Sequence, residues 1–260
     1  MSVFEDYLAS RGIIDGMDLS EVGYDKIYFE TNENLVDMYK EVDFLDKDVL
    51  TVLASSDHFF LANYLGAKNV YSFDKNKLAL YYYYMRKWAL SINKETYPFE
   101  LLDDNYFWLS KLLGRVEPST PSELNAFKFW KKHLDESSKL HLLFHEGEVD
   151  GKTIFKSISS IGSVADRKNN FLNINLFDSV DLHNKFDIAM ISNIPEWAKF
   201  DIQMTNLSNN LHSLLKNNGI VLCSRFHEFP ERTEKERRIF EANFEFHDYG
   251  KNVGYCYIKK

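Results

Sequence analysis

The sequence predicts an α/β fold: a doubly wound, mostly parallel sheet that ends in an antiparallel β-hairpin, with N-terminal helices and a helical insertion. Three observations predict it. Short apolar runs alternate with helical stretches over residues 46–95 and again from 166 onward, as in parallel strands joined by crossover helices. The first run, Asp48-Val-Leu-Thr-Val-Leu-Ala-Ser-Ser-Asp57, breaks into a small polar turn, and a second run ends in an acid 17 residues later, at Asp74. The chain closes with two short β runs, Phe244–His247 and Val253–Ile258, around Asp248-Tyr-Gly250, and strands joined so tightly must be antiparallel.

Residues 1–45 read as an N-terminal helical segment, with Phe4, Tyr7 and Leu8, then Leu35, Met38 and Tyr39, at helical spacing. Thr31 or Asn32 is the expected N-cap of its second helix. Val49–Ala54 follows as a strand, His58–Leu65 as a helix stopped by Gly66, Asn69–Phe73 as a second strand and Asn76–Asn93 as a long helix. From 96 to 165 the alternation lapses. Leu124–Leu134 and Leu140–Phe144 read as helical and Glu117-Pro-Ser-Thr-Pro121 as a turn, which together form the insertion. Alternation resumes with strands at Phe171–Leu176 and Phe186–Ser192, a helix at Ile202–Leu215, a strand at Gly219–Arg225 and a charged helix at Glu231–Ala242. The expected division is therefore a segment 1–45, a cofactor-binding domain from 46–95 and 166–260, and an insertion 96–165.

With 260 residues and 45% apolar content, the chain can bury one full core. A net charge of −8 disfavours non-specific binding to nucleic acid, so no nucleic-acid partner is expected. Cys223 and Cys256 sit far apart in apolar runs and read as buried, reduced thiols. No N-terminal signal pattern appears, and no apolar run approaches the roughly 18 residues that span a bilayer. A soluble, cytoplasmic protein without a membrane span is the expectation.

The strand–turn–helix–strand–acid pattern is half of a Rossmann-like nucleotide-binding unit. Its turn, Ala54-Ser55-Ser56-Asp57, lacks the three-glycine fingerprint that a pyrophosphate requires. That favours S-adenosylmethionine, which carries no phosphate, over a nicotinamide dinucleotide. Ser55 and Ser56 are candidates to bond the methionine moiety. Asp57 either receives its ammonium or caps the following helix. Asp74, at the tip of the second strand, is placed to accept both ribose hydroxyls, with an N-cap role as the alternative. Asn175, Leu176 and Phe177, ending the third strand, are candidates to frame the adenine.

The fourth strand, expected beside the first, ends in Ser192-Asn-Ile-Pro-Glu-Trp197. Ligands bind where such a sheet changes winding direction. Ser192 and Asn193 then face the cofactor, Asn193 orients a reacting group, Glu196 serves as general base, and Trp197 stacks on adenine or attracts a sulfonium. A loop with a buried Trp is the plainer reading. Tyr81–Tyr84 point in four directions on a helix, so one or two are expected to pack and the rest to lie at a surface. His141 and His145 stand at i,i+4 without a third ligand at recognisable spacing, so no metal site is assigned.

Thr31-Asn-Glu-Asn34, the turn 50–57, Tyr71-Ser-Phe-Asp-Lys-Asn76 and Ile191–Trp197 resemble a bacterial group related to the 3-amino-3-carboxypropyl transferases of betaine-lipid synthesis. That group lies within the class I S-adenosylmethionine-dependent methyltransferase fold. The resemblance covers about residues 24–95 and 170–225. Relatives carry Ser-Gly-Asp where this chain has Ser55-Ser56-Asp57. The resemblance implies transfer of a methyl or 3-amino-3-carboxypropyl group from a sulfonium to a small or lipid-like acceptor, with Asn34, Ala54 and Asn76 added to the cofactor-binding residues. A non-catalytic Rossmann-like interaction protein with a degenerate cofactor site is the alternative that the glycine-free turn raises.

Overall fold

The first strand, β1 (Asp48–Val52), has four consecutive buried residues from Val49 to Val52. That continuous apolar run is what a strand covered on both faces needs. A computed structural model describes residues 42–92, 121–135, 161–164, 166–172, 174–178, 180–224, 230–248 and 254–260, with Leu35 and Tyr39. Asn34, the helices expected before it, Leu140–Phe144 with His141 and His145, and the turn at Tyr249–Gly250 lie outside the described residues.

After β1 come α1 (Asp57–Tyr64), β2 (Asn69–Phe73), α2 (Lys77–Ile92) and α3 (Pro121–Asp135). A 3₁₀ turn at Ile161–Val164 leads to β3 (Asn170–Leu172) and β4 (Phe186–Ser192), and a second 3₁₀ turn at Ile194–Trp197 leads to α4 (Asp201–Leu214). The order then runs β5 (Leu215–Cys223), α5 (Pro230–Phe240), β6 (Phe244–Asp248) and β7 (Tyr255–Lys259). The chain divides into two compact units. One comprises Met1–Asn32, Leu53–Asp57 and Asn76–Arg167; the other comprises Glu33–Val52, His58–Lys75 and Lys168–Lys260.

The second unit holds a seven-stranded sheet in the order β3-β2-β1-β4-β5-β7-β6. The pairs β1–β2, β1–β4, β2–β3 and β4–β5 are parallel, while β7 pairs antiparallel with both β5 and β6. This is the Rossmann-like, doubly wound sheet closing in an antiparallel hairpin. The last strand lies inside the hairpin edge, between β5 and β6.

The limits of β1, β6 and β7 shift by one or two residues from expectation, and two strands differ further, for local reasons. β3 stops at Leu172 because the Ile174 N–H turns back to the Leu172 carbonyl at 3.0 Å. Asn175 Oδ1 then takes the Phe177 N–H at 3.2 Å, a side-chain bond that competes with the ladder. So Asn175, Leu176 and Phe177 belong to a turn and not to the strand. β5 begins at Leu215, not Gly219, and pairs Leu215 with Phe186 and Ile220 with Ile188, leaving an irregular stretch between. Gly219 is required in it, since a Cβ would meet Lys216 O and Leu215 Cβ at 2.9 Å.

At the amino ends of β1, β4 and β5 a charged clip fixes the register. Lys216 Nζ lies 2.9 Å from Asp48 Oδ2 and 2.8 Å from Asp187 Oδ2, and the Asp48 N–H donates to Asp187 at 2.9 Å. Burial opposes ionisation of Asp48, but bonds from Asn69 and Lys216 win and hold its carboxyl below the usual value. Hydrogen bonds to Asp187 and Asp48 hold the Lys216 ammonium above its own. At the hairpin edge, Tyr255 and Tyr257 donate to buried Glu236 of α5 at 2.8 Å and 3.0 Å. Burial first, with the carboxylate beside them, pushes both phenols up.

In the first unit, α2 packs on α3 through Trp88 and Phe127, whose rings meet edge-on at 5.4 Å. Tyr81, Tyr82 and Tyr83 are all buried, more than the one or two expected, and Tyr84 is half-buried. Half-buried Leu80, Tyr84 and Lys87 and exposed Ser91 recur at helical spacing on one face of α2, and Tyr81, Tyr82 and Tyr83 fall outside it. Among the described residues no helix is long and apolar enough to cross a membrane, and no cluster suited to a metal ion occurs.

Candidate functional site at the carboxyl ends of the strands

β1 is flanked by β2 on one side and β4 on the other. From β1 the chain winds outward through β2 to β3, and from β4 it winds the opposite way to β5. The carboxyl ends of β1 and β4 are therefore the switch point of the sheet.

In the second unit, Asp74 directly follows β2; it is half-buried, and its N–H donates to the Leu172 carbonyl at 3.3 Å. The turn after β3 is buried at Leu176 and anchored by α4. Asn206 Nδ2 donates to the Phe177 carbonyl at 3.3 Å. Asn210 Nδ2 donates to the carbonyls of Leu176, at 2.8 Å, and Asp178. Asn206 and Asn210 stand at i,i+4, one above the other on a helix face. Nothing in local sequence marks them, because their acceptors lie about 30 residues upstream.

At the tip of β4, Ser192 turns the chain sharply with φ +56. Its carbonyl accepts the Ser224 N–H at 3.1 Å, which joins the tips of β4 and β5. Asn193 heads the 3₁₀ turn, and its carbonyl accepts the Glu196 N–H at 2.9 Å. Asn193 Oδ1 takes the Ser192 hydroxyl at 3.3 Å and Trp197 Nε1 at 3.4 Å. The indole is 57% exposed, unlike the buried Trp of the plainer reading, while Pro195 beneath is buried. Glu196 is half-buried. This short turn gathers an amide, a carboxylate and an indole within five residues.

In the first unit, the turn that leaves β1 is bent at two places: Ala54 has φ +38 and Ser56 φ +76. The Ser56 N–H closes it onto the Leu53 carbonyl. Among the described residues, the non-glycine positions with positive φ are otherwise Asp46, Asn184, Asn218 and Ser192. Asp and Asn tolerate that region; Ala and Ser do so at a cost of about 1–3 kcal/mol each. The three costly positions thus fall in the turn after β1 and at the tip of β4. Ser56 adopts a left-handed backbone that suits glycine, and its buried Oγ has no hydrogen-bond partner among the described residues.

Ser55 and Asp57 are buried as well. Asp57 opens α1 and its carboxylate is engaged on both oxygens: Oδ2 accepts the Ser55 hydroxyl at 2.6 Å, and Oδ1 lies 2.7 Å from Arg86 Nη2. Arg86, from α2, also donates Nη1–H to the Ser55 carbonyl. Sequence reading missed Arg86. Its signal was a cation, beside Lys87, that directly follows the Tyr-rich apolar run of α2, where a buried charge implies a carboxylate partner. Asn76 is the cap of α2: its Oδ1 accepts the Leu78 N–H at 3.0 Å.

No model of a known protein family matches the chain. No curated protein matches it either. Among solved structures it is similar to the N-methyltransferase NodS of Bradyrhizobium japonicum in complex with S-adenosyl-L-homocysteine, at 8% identity over 87% of this chain and 83% of that one, with a TM-score of 0.41. A TehB-like SAM-dependent methyltransferase of Corynebacterium glutamicum aligns at 10% identity over 98% of this chain and 97% of that one, TM-score 0.41. The YcgJ protein of Bacillus subtilis aligns at 12% identity over 84% and 70%, TM-score 0.43. The fold itself stands on this chain's own strand order and register.

Proposed function

We propose that this protein is an S-adenosylmethionine-dependent transferase that moves a methyl or 3-amino-3-carboxypropyl group to a small or lipid-like acceptor. One observation carries the reading: at the β1/β4 switch point the tip of β4 is a strained polar turn, Ser192–Asn193, while the tip of β2 presents the half-buried carboxylate of Asp74. A carboxylate takes both hydroxyls of a ribose as paired, charge-assisted hydrogen bonds. The turn after β1 carries no glycine fingerprint, which disfavours a pyrophosphate and leaves a phosphate-free adenosyl ligand. The donor set fits such a group.

When bound, the cofactor supplies an electrophilic carbon on its sulfonium, and the electron pair of the broken C–S bond stays on sulfur. The chain's own contribution is position and proton transfer. Asn193 Oδ1 is occupied by Ser192 and Trp197, and no described residue takes its amide hydrogens, so these orient a ligand oxygen. Glu196, beside it on the same turn, accepts the proton that an attacking O–H or N–H acceptor must lose. The exposed face of Trp197 is an electron-rich surface for a cation or an adenine ring. Leu176 and Phe177, fixed by Asn206 and Asn210, frame the base.

Mass spectrometry of the products decides the chemistry. Incubation with S-adenosylmethionine and a small-molecule and lipid extract is expected to yield S-adenosylhomocysteine if methyl is moved, or methylthioadenosine if the aminocarboxypropyl group is. Neither product above a Glu196→Gln, Asp74→Ala control would leave a non-catalytic interaction protein.

A further inference from the structure

We propose that Arg86 is a positioning residue that presets the glycine-free turn after β1, and that Asp57 is its partner, not the receptor of a ligand ammonium. The inference rests on the reading above for its ligand, but its geometry belongs to one unit. Arg86 is 0% exposed and Asp57 1%, so neither touches solvent. The guanidinium reaches two different acceptors, the Ser55 carbonyl through Nη1 and Asp57 Oδ1 through Nη2. Asp57 Oδ2 then takes the Ser55 hydroxyl at 2.6 Å. Ser55 is held at both its main chain and its side chain, between the two left-handed residues Ala54 and Ser56. Tyr82 sets the guanidinium from one side, its ring centroid 5.6 Å from Cζ.

A buried ion pair is a costly device, and apolar replacements of like volume often serve stability as well. Its use at the one turn that lacks the expected glycine has a physical reason. Glycine takes a left-handed backbone unaided, whereas Ala and Ser must be held there by their surroundings. A rigid fork with two donors fixes both ends of Ser55; a lysine, with one point of charge, cannot hold that geometry. With both oxygens of the Asp57 carboxylate engaged by Ser55 and Arg86, the turn offers its main-chain groups to the methionine moiety.

Amide hydrogen exchange and calorimetric titration with S-adenosylmethionine, on the full chain and its Arg86→Lys variant, test this. Exchange across residues 53–58 is expected to rise about tenfold or more in Arg86→Lys, the factor one hydrogen bond to a charged group is worth, while 186–192 stays protected. Cofactor Kd is expected to weaken about tenfold or more, the factor for losing a hydrogen bond to a charged group in the turn that holds it. The double variant Arg86→Met, Asp57→Leu separates positioning from folding: its melting temperature recovers while cofactor affinity stays lost. Unchanged exchange at 53–58, or wild-type affinity in Arg86→Lys or the double variant, overturns the proposal. If the wild type binds no cofactor the functional reading fails, and the exchange result alone decides the role of Arg86.

Discussion

Replacing Ser56 with glycine is expected to stabilise the protein, an unusual sign for a substitution to glycine. Two costs disappear. The φ of +76 is unfavourable for serine by about 1–2 kcal/mol. The Ser56 hydroxyl is buried without a hydrogen-bond partner, worth about 1–3 kcal/mol. Two losses oppose them. A buried methylene contributes about 0.8 kcal/mol, and the freer unfolded chain costs about 0.4–1 kcal/mol. Taking the low end of each gain, the net is about 0.2–0.8 kcal/mol in favour of glycine, or roughly 0.5–3 °C in melting temperature. Thermal and urea unfolding without ligand measure it. Ser56→Ala, which removes the hydroxyl but keeps the strained Cβ, isolates the hydroxyl's cost and should gain about 1–3 kcal/mol over serine. Ser56→Val should destabilise by about 2 kcal/mol, since a β-branched side chain suits this backbone least. A glycine variant that melts at or below the wild type, or a valine variant as stable as serine, would refute a strained turn.

Other consequences follow from the fold. Gly219→Ala places a Cβ 2.9 Å from Lys216 O and Leu215 Cβ, so urea unfolding should show a loss of about 1–3 kcal/mol. Lys216→Met should flatten both limbs of the stability–pH curve. Asp48, held below its ordinary 3.8, contributes stability above that value that fades as pH falls through its lowered pKa. Lys216, held above 10.5, contributes below that value and fades as pH rises through its raised pKa. Because Lys216 is 39% exposed the change should stay within about 1 kcal/mol, and a variant retaining both limbs contradicts the clip.

The central strands were the most legible part of the chain. β2 and β4 run over the same residues that the sequence marks out as strands, because most of their positions are buried and their apolar residues show it. Asn69–Phe73 and Phe186–Ser192 also end in residues that break the run, so their limits show. β3 was overrun because Phe171, Leu172, Ile174 and Leu176 alternate like a strand, while Asn175 diverts the backbone into a turn. The start of β5 was missed because Lys216-Asn-Asn-Gly219 reads as a loop, and only its pairing with β4 and the salt bridges of Lys216 make it strand.

At the candidate site, the tips of the strands could be read from chain order, since topology alone sends them to one edge of the sheet. What holds them could not. Arg86 meets Asp57 across 29 residues, and Asn210 meets Leu176 across 34. Such partners are fixed by tertiary packing, which local patterns do not encode. The glycine-free turn had a readable meaning all the same: Ser56 takes a left-handed backbone that suits glycine.

Calorimetric titration of S-adenosylmethionine into the wild type and into Asp74→Ala tests the adenosyl assignment most directly. The expected result is saturable binding by the wild type and an affinity about tenfold to several hundredfold weaker in the variant, the range for losing charge-assisted hydrogen bonds to a ribose. No heat of binding in the wild type, or equal affinity in the two, would contradict it.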